Sequence, residues 1–427
     1  MSKRSRLATL MALQYGVQGS FWPLLTLHLR DLGIGERHRG WIFATYAVGA
    51  TVTSLGFGQL VDRVWSSQYV IAAVYAIGAC FLAAIAAGVA TDPVPLFAIF
   101  LAYWLFTAPT YGLSVSLVLR NLDEPKRDFG GVRLWGTVGW MCAGWLVSAT
   151  MVWVDGTPHT GIHVAFWIAA ALSAGVSAWS LTLPNTPPLA VGARAKFGAR
   201  SLVNMLASNQ LAAFLGGSMG FYLCNPFIYQ LIPPYLESEG MAKPRIPTAM
   251  SLGQIPEIAG LFLLPFLFRR LGEVGTLRLG LFAWFARFGV LAFGPPLWLA
   301  VATIPLQGVG VACFMVGGQV YVDRRAPAHL RASAQTLLFF LSSGIASLCG
   351  GVVAGEIASR SGDEWAIVFV IPCVVNLLLL LYFRAGIETG LVRDETPERD
   401  VLSVEARPVA VLGPASRGCL ATEPADG

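Results

Sequence analysis

The sequence predicts an all-α membrane protein of 12 transmembrane helices in two six-helix halves. Three observations carry that expectation. First, 55% of the 427 residues are hydrophobic and only 12% are charged. Soluble domains carry about twice that charged share, and a chain this apolar cannot cover a water-facing surface. Second, apolar stretches of about 20 residues, the length that crosses a bilayer, recur along the chain with short polar turns between them. Third, one longer polar interruption near the middle divides those stretches six and six.

In chain order the spans are expected near 7–29, 40–61, 68–90, 95–119, 131–154 and 162–183, then 207–235, 247–268, 276–294, 297–321, 331–355 and 364–385. The start, Met-Ser-Lys-Arg-Ser-Arg, runs into a full-length span with no small-residue cleavage site, so no removable signal peptide is expected. The domains read as an N-terminal half (1–183), a Pro- and Gly-rich linker with three basic residues (184–206), a C-terminal half (207–385) and a polar tail (386–427). The tail lacks an apolar face and is expected to be disordered.

Basic residues set the topology of a polytopic protein. The N-terminus, loops 2–3, 4–5, 6–7, 8–9 and 10–11 and the start of the tail hold about 19 Lys and Arg, against about 6 in the alternate loops. Both termini are therefore expected inside the cell, in the inner membrane. Arg30, Arg37 and Arg39 sit on the other side and count against the sum. The net charge of +5 belongs to these loops and gives no nucleic-acid signal. The cysteines are scattered singly, with no CxxC and no metal spacing, so they read as small hydrophobes. No metal or cofactor is expected, and the chain is expected to act as a monomer in the bilayer.

The halves show faint self-similarity. Leu29-Arg30-Asp31-Leu32-Gly33 ends the first span, and Leu236-Glu237-Ser238-Glu239-Gly240 ends the seventh, 207 residues later. At the same offset Leu60-Val61-Asp62-Arg63 faces Leu267-Phe268-Arg269-Arg270. A parallel repeat of two six-span halves is a transporter architecture, that of the major facilitator plan.

Polar groups inside spans are costly and mark candidate sites. In span one, Gln14, Gln18 and the pair Phe21-Trp22 share a face, with Gly16 and Gly19 thinning the other side. In span five, Arg133, Thr137 and Trp140 fall at i, i+4 and i+7. A cation, a hydroxyl and an aromatic plane on one stripe make a small-molecule wall, although Arg133 near a span end could instead anchor at the interface. In span seven, Tyr222, Asn225 and Tyr229 align beside Pro226. Glu257 sits midway along span eight, with Gln254 on the same face and Pro256 between them. A carboxylate there suits a group that takes up and releases a proton, the plainer alternative being a permanent bond to a neighbouring helix. Arg287, deep in span nine, reads as a strut to a carboxylate or backbone carbonyl. Gln307, Gln319 and Asn376 read as helix-packing groups.

Gly58-Gln59-Leu60-Val61-Asp62-Arg63 resembles the G-x-L-x-D-R signature loop of the major facilitator superfamily, without the basic cluster that follows it there. Asp62 and Arg63 would latch the halves as a gate. Arg133-Leu-Trp-Gly-Thr-Val-Gly resembles the R-[IL]-W-G-T-[IV]-G motif of the nucleoside:proton symporter family, a branch of that superfamily. Leu13-Gln14-Tyr15 with Gly19-Ser20-Phe21, Ser251 to Glu257, Trp284 with Arg287 and Phe288, and Arg331 to Gln335 with Gly350, Gly351 and Gly355 resemble the same family's helices. The resemblance covers about residues 7–385 and implies nucleoside import with protons. It implies substrate contacts at Arg133, Thr137, Trp140, Gln254 and Glu257. Two departures accompany it. Ala312 stands where the family has a tenth-helix acid tied to proton coupling, and the family's seventh-helix Gln and Asn fall near Pro226 and Tyr229, where Asn225 could substitute for one amide.

The leading expectation is a proton-coupled nucleoside importer, with Glu257 as the proton-coupling group and Gln14, Gln18, Arg133, Thr137, Trp140, Asn225, Tyr229, Gln254 and Glu257 around the substrate. A nucleoside uniporter and a sugar or glycoside carrier are the alternatives on the same fold. A receptor on this scaffold would add a soluble domain, and the short tail lacks a core. The absence of HExxH, GxSxG and P-loop patterns argues against an enzyme.

Overall fold

The computed structural model describes residues 2–52, 65–154, 161–187, 209–326, 330–362 and 364–388. All regular elements among them are helices, as the hydropathy pattern predicts. Eight described segments are long and apolar enough to cross a membrane. One of them, Lys243–Ala292, has 50 residues. At about 1.5 Å per residue that is more than twice the bilayer core. It breaks at Gly272, where φ is 73°. A side chain is disfavoured at that φ, so glycine ends the eighth span and opens the ninth.

Span one is helical over Lys3–Phe21 and Leu25–Asp31, with a tight 3-10 turn, Trp22–Leu24, between them. Pro23 within that turn lacks the N–H that a continuous α-helix needs. Span two begins as Glu36–Val52, and spans three to six contain Ser67–Ala86, Pro93–Asn121, Pro125–Val154 and His163–Ser180. Span five thus starts six residues earlier than the expected 131. Arg133 consequently lies two turns inside the helix rather than at its end. Span seven, Asn209–Ser238, runs on through Pro226, Pro233 and Pro234. Spans ten and eleven each widen into a π-helical turn, at Val311–Val316 and Phe340–Ala346. Span twelve is Trp365–Glu388.

Glycines set the close approaches. A Cβ on Gly19 would lie 2.5 Å from the Trp140 carbonyl oxygen, and one on Gly139 would overlap the backbone of Ala12. Spans one and five therefore pack backbone to backbone, which fixes the Thr137–Trp140 face. Between the halves, a Cβ on Gly40 would lie 2.7 Å from the Gly351 oxygen, and one on Gly355 2.8 Å from the Glu36 oxygen. Spans two and eleven meet there with no room for side chains.

The same face of the molecule, the one expected outside, is tied by charge. Arg30 pairs with Glu237, Lys243 bonds Asp31 at 2.7 Å, and Arg37 bonds Glu356 at 2.7 Å, and all three pairs join the two halves. Within the C-terminal half, Lys243 also approaches Glu237 at 3.7 Å. Arg39 pairs with Glu36. The three arginines that count against the topology are thus each neutralised by a carboxylate. On the opposite face the ion pairs among the described residues stay within one half, as in Arg4–Asp128 at 3.1 Å and Arg324–Glu273 at 2.7 Å. Asp62, Arg63, the linker beyond 187 and nearly all of the tail lie outside the described residues.

Candidate functional site

Residues 207 apart meet where spans one and seven cross. Arg30 pairs with Glu237, Trp22 lies 6.4 Å from Tyr229 ring to ring, and Gln18 and Asn225 line one cavity. Positions equivalent in a twofold repeat touch when they lie near its axis. The weak repeat in the sequence thus marks the centre of the molecule.

The cavity, about 160 Å³, lies at that crossing. Gln18 and Trp22 line it from span one, and Asn225 and Tyr229 from span seven. Span two adds Phe43 and Tyr46, and span eleven adds Ser347. Trp22 meets Phe43 at 4.9 Å and Tyr46 at 5.6 Å, so the walls are largely aromatic. Gln18 is held in place by the Tyr111 hydroxyl, which donates to its Oε1 at 3.1 Å.

Span five reaches the same place. Trp140 stands edge-on to Tyr229 at 6.3 Å, with Thr137 buried one turn before it. The Arg133 guanidinium lies over the Tyr15 ring at 4.2 Å and does not snorkel to an interface. Glu257 is partly exposed between the halves, within electrostatic reach of both Arg133 and Tyr229. Gln254 is buried and lies within electrostatic reach of the Tyr229 hydroxyl. One acid, one guanidinium, amides and aromatic planes therefore converge from spans one, five, seven and eight. That set can stack a flat ring, bond its polar edge and carry a proton.

Gln14 does not join them. Its side chain is fully buried within its own half and donates to Thr110 Oγ1 at 3.3 Å. Phe21 is likewise in the core, against Phe100, Tyr103, Trp104 and Phe166. Gln14 and Phe21, seven residues apart in the regular helix Lys3–Phe21, share one stripe that faces the half's own core, and Gln18 lies on the adjacent stripe.

Sequence reasoning missed spans two and eleven as cavity walls. Phe43, Tyr46 and Ala47 at i, i+3 and i+4 were the available signal in span two. Gln307 is also closer to the site than a packing group. It is buried, donates from Nε2 to the Tyr229 hydroxyl at 2.9 Å and accepts from Arg287 Nη1 at 2.9 Å. The strut expected at Arg287 is present, with an amide in place of a carboxylate. Ala312, where the resemblance implies an acid, is buried in the π-helical turn against Gly260.

Comparison with known proteins agrees with this geometry. A family model described as nucleoside H+ symporter matches residues 1–389. The putative nucleoside transporter YegT of Escherichia coli is 27% identical, across 94% of this chain and 98% of its own length. Nucleoside permease NupG of the same organism is 24% identical, across 94% and 100%. The crystal structure of NupG superposes with a TM-score of 0.79 over 90% of this chain and 99% of that one, which shows a shared major facilitator fold. The chain belongs to the nucleoside H+ symporter family.

Proposed function

We propose that this multi-pass membrane protein imports nucleosides together with protons by alternating access. The observation that carries the reading is the convergence of Glu257, Arg133, Gln254, Trp140 and Tyr229 beside a cavity on the axis between the halves. A nucleoside has a flat base and a hydroxyl-rich sugar. Trp140 and Trp22 offer planes to stack on. Thr137, Asn225, Gln18 and Gln254 offer hydrogen bonds to the base edge and ribose. Glu257, opposite Arg133, alternates between bonding that guanidinium and carrying a proton. Gln14 acts from behind, by holding span four against span one through Thr110.

The halves 1–183 and 207–385 rock about this site, with the 184–206 linker and both termini in the cytoplasm. The ion pairs and glycine contacts between the halves close the outer face, so this conformation is the one that exchanges substrate with the cytoplasm. Asp62 and Arg63 latch the inner face in the opposite conformation. The protein works as a monomer in the inner membrane.

The test is saturable uptake of radiolabelled uridine or adenosine in cells that lack other nucleoside carriers. Uptake of at least one nucleoside is the expected outcome. No nucleoside uptake by a protein shown to reach the membrane would overturn the reading. Ala312 favours one second reading, downhill uniport, because span ten offers no acid until Asp323 at its end. Dependence on the proton gradient separates the two.

A further inference from the structure

Arg287 is fully buried in span nine, and among the described residues its Nε and Nη2 find no acceptor. No ion pair to it occurs among those residues. A buried cation with one hydrogen bond is costly. Its single bond, from Nη1 to Gln307 Oε1 at 2.9 Å, has a consequence at the cavity.

A guanidinium only donates. It therefore fixes the Gln307 amide with its oxygen toward Arg287 and its NH2 toward span seven. That NH2 donates to the Tyr229 oxygen at 2.9 Å. The tyrosine is an acceptor from Gln307, so its one O–H proton is left for a different partner. Tyr229 lines the cavity, and Gln254 and Glu257 lie within electrostatic reach of the same hydroxyl. The backbone geometry supports this placement. A Cβ on Gly308 would overlap the Gly253 oxygen and press on the Glu257 nitrogen, and one on Gly253 would sit 3.4 Å from Gln307 Oε1. Glycines at both positions let span ten lie close enough to span eight for Gln307 to reach Tyr229.

We propose that Arg287 and Gln307 are positioning residues that set the direction of this hydrogen-bond chain. Tyr229 is thereby an obligate donor into the cavity, and the site selects substrates that present an acceptor to it. The inference deepens the transport reading above and rests on the same site. Neither Arg287 nor Gln307 touches substrate. Both act through Tyr229.

Q307E separates direction from packing. The introduced carboxylate can still accept from Arg287, but it has no N–H for Tyr229. It must accept the tyrosine proton and turn the tyrosine oxygen, as an acceptor, to the cavity. Uptake by the wild type, Y229F, Q307E and Y229F/Q307E is measured over a panel of nucleosides and hexosides at matched membrane abundance. Y229F and Q307E are each expected to raise KM about tenfold with Vmax within about twofold, the size of one lost hydrogen bond. The double variant is expected to be no worse than Q307E alone. KM unchanged in Q307E, or KM effects that multiply to about a hundredfold, overturns the inference. If only a hexoside is carried, the nucleoside reading falls, and the same comparison on that hexoside decides this one. If nothing in the panel is carried, thermal unfolding of R287M, Y229F and their double variant decides it. Arg287 has no ion pair among the described residues, so R287M leaves no buried opposite charge unpaired. Shifts in Tm that are less than additive are expected from a chain that joins the two residues through Gln307, and strictly additive shifts overturn it.

Discussion

Three carboxylates show how surroundings divide labour among residues of one type. Glu273 is buried and bracketed by Arg324 and Arg325, so it is a fixed structural charge. Glu237 is part-buried and held by Arg30 from the other half and by Lys243 from its own. Glu257 is partly exposed, and Arg133 is the cation within its electrostatic reach among the described residues. The first two are each held by two cations, and the third is the group to which proton exchange is assigned in the proposed function. The shared acid yields a test of closure. In a background without the seven native cysteines, S347C places a thiol on the cavity wall. E237Q removes the anion between two cations, a part-exposed contact worth about 1 kcal/mol, or roughly fivefold in an equilibrium. Labelling of S347C by an impermeant maleimide from outside should rise by about that factor in E237Q. Equal rates with and without E237Q would show that the cluster does not hold the outer face. At this scale the sequence was legible where a polar side chain interrupts an apolar run, as at Glu257 and Gln254. It was ambiguous where such a side chain has an equally good partner within its own half. Gln14 and Gln18 are one helical turn apart, yet Thr110 takes one and the cavity receives the other.

Elements meet where glycine removes side chains. Gly139 against Ala12, Gly40 against Gly351 and Gly308 against Gly253 are all backbone contacts. The last joins spans eight and ten beside Gln254 and Glu257. G308A would force that pair apart, and overpacking of this kind costs typically 1–3 kcal/mol. It should lower Tm by several degrees and abolish uptake. Gly216, a helical glycine with nothing near its Cβ position, is the control. There alanine gains helix propensity, so G216A should unfold no earlier than the wild type. A G308A variant as stable and active as G216A would contradict the close approach. The spans themselves were legible from hydropathy, and the Gly272 break fell between the expected ends at 268 and 276. The early start of span five and the π-helical turns were not, because neither changes the apolar pattern. The first depends on a polar turn of helix beyond the membrane, and the second on packing against neighbours.

At the scale of the whole molecule, composition alone predicted a helical membrane fold, and the offset of 207 predicted which ends correspond. The structure sharpened that offset into contacts: Trp22 with Tyr229, Arg30 with Glu237, and Gln18 facing the cavity with Asn225. What composition could not reveal is the state of the halves, closed at one face by three ion pairs and a glycine seam. The proposed function links this architecture to one acid. With Ala312 in span ten, the proposed reading assigns proton coupling to Glu257. Purified protein in proteoliposomes, with an inward proton gradient imposed, tests this most directly. Wild type should accumulate labelled nucleoside above the outside concentration and lose that accumulation when a protonophore is added, while E257Q should only equilibrate it. Accumulation by E257Q at the wild-type level, or wild-type uptake indifferent to the gradient, would contradict proton symport through Glu257.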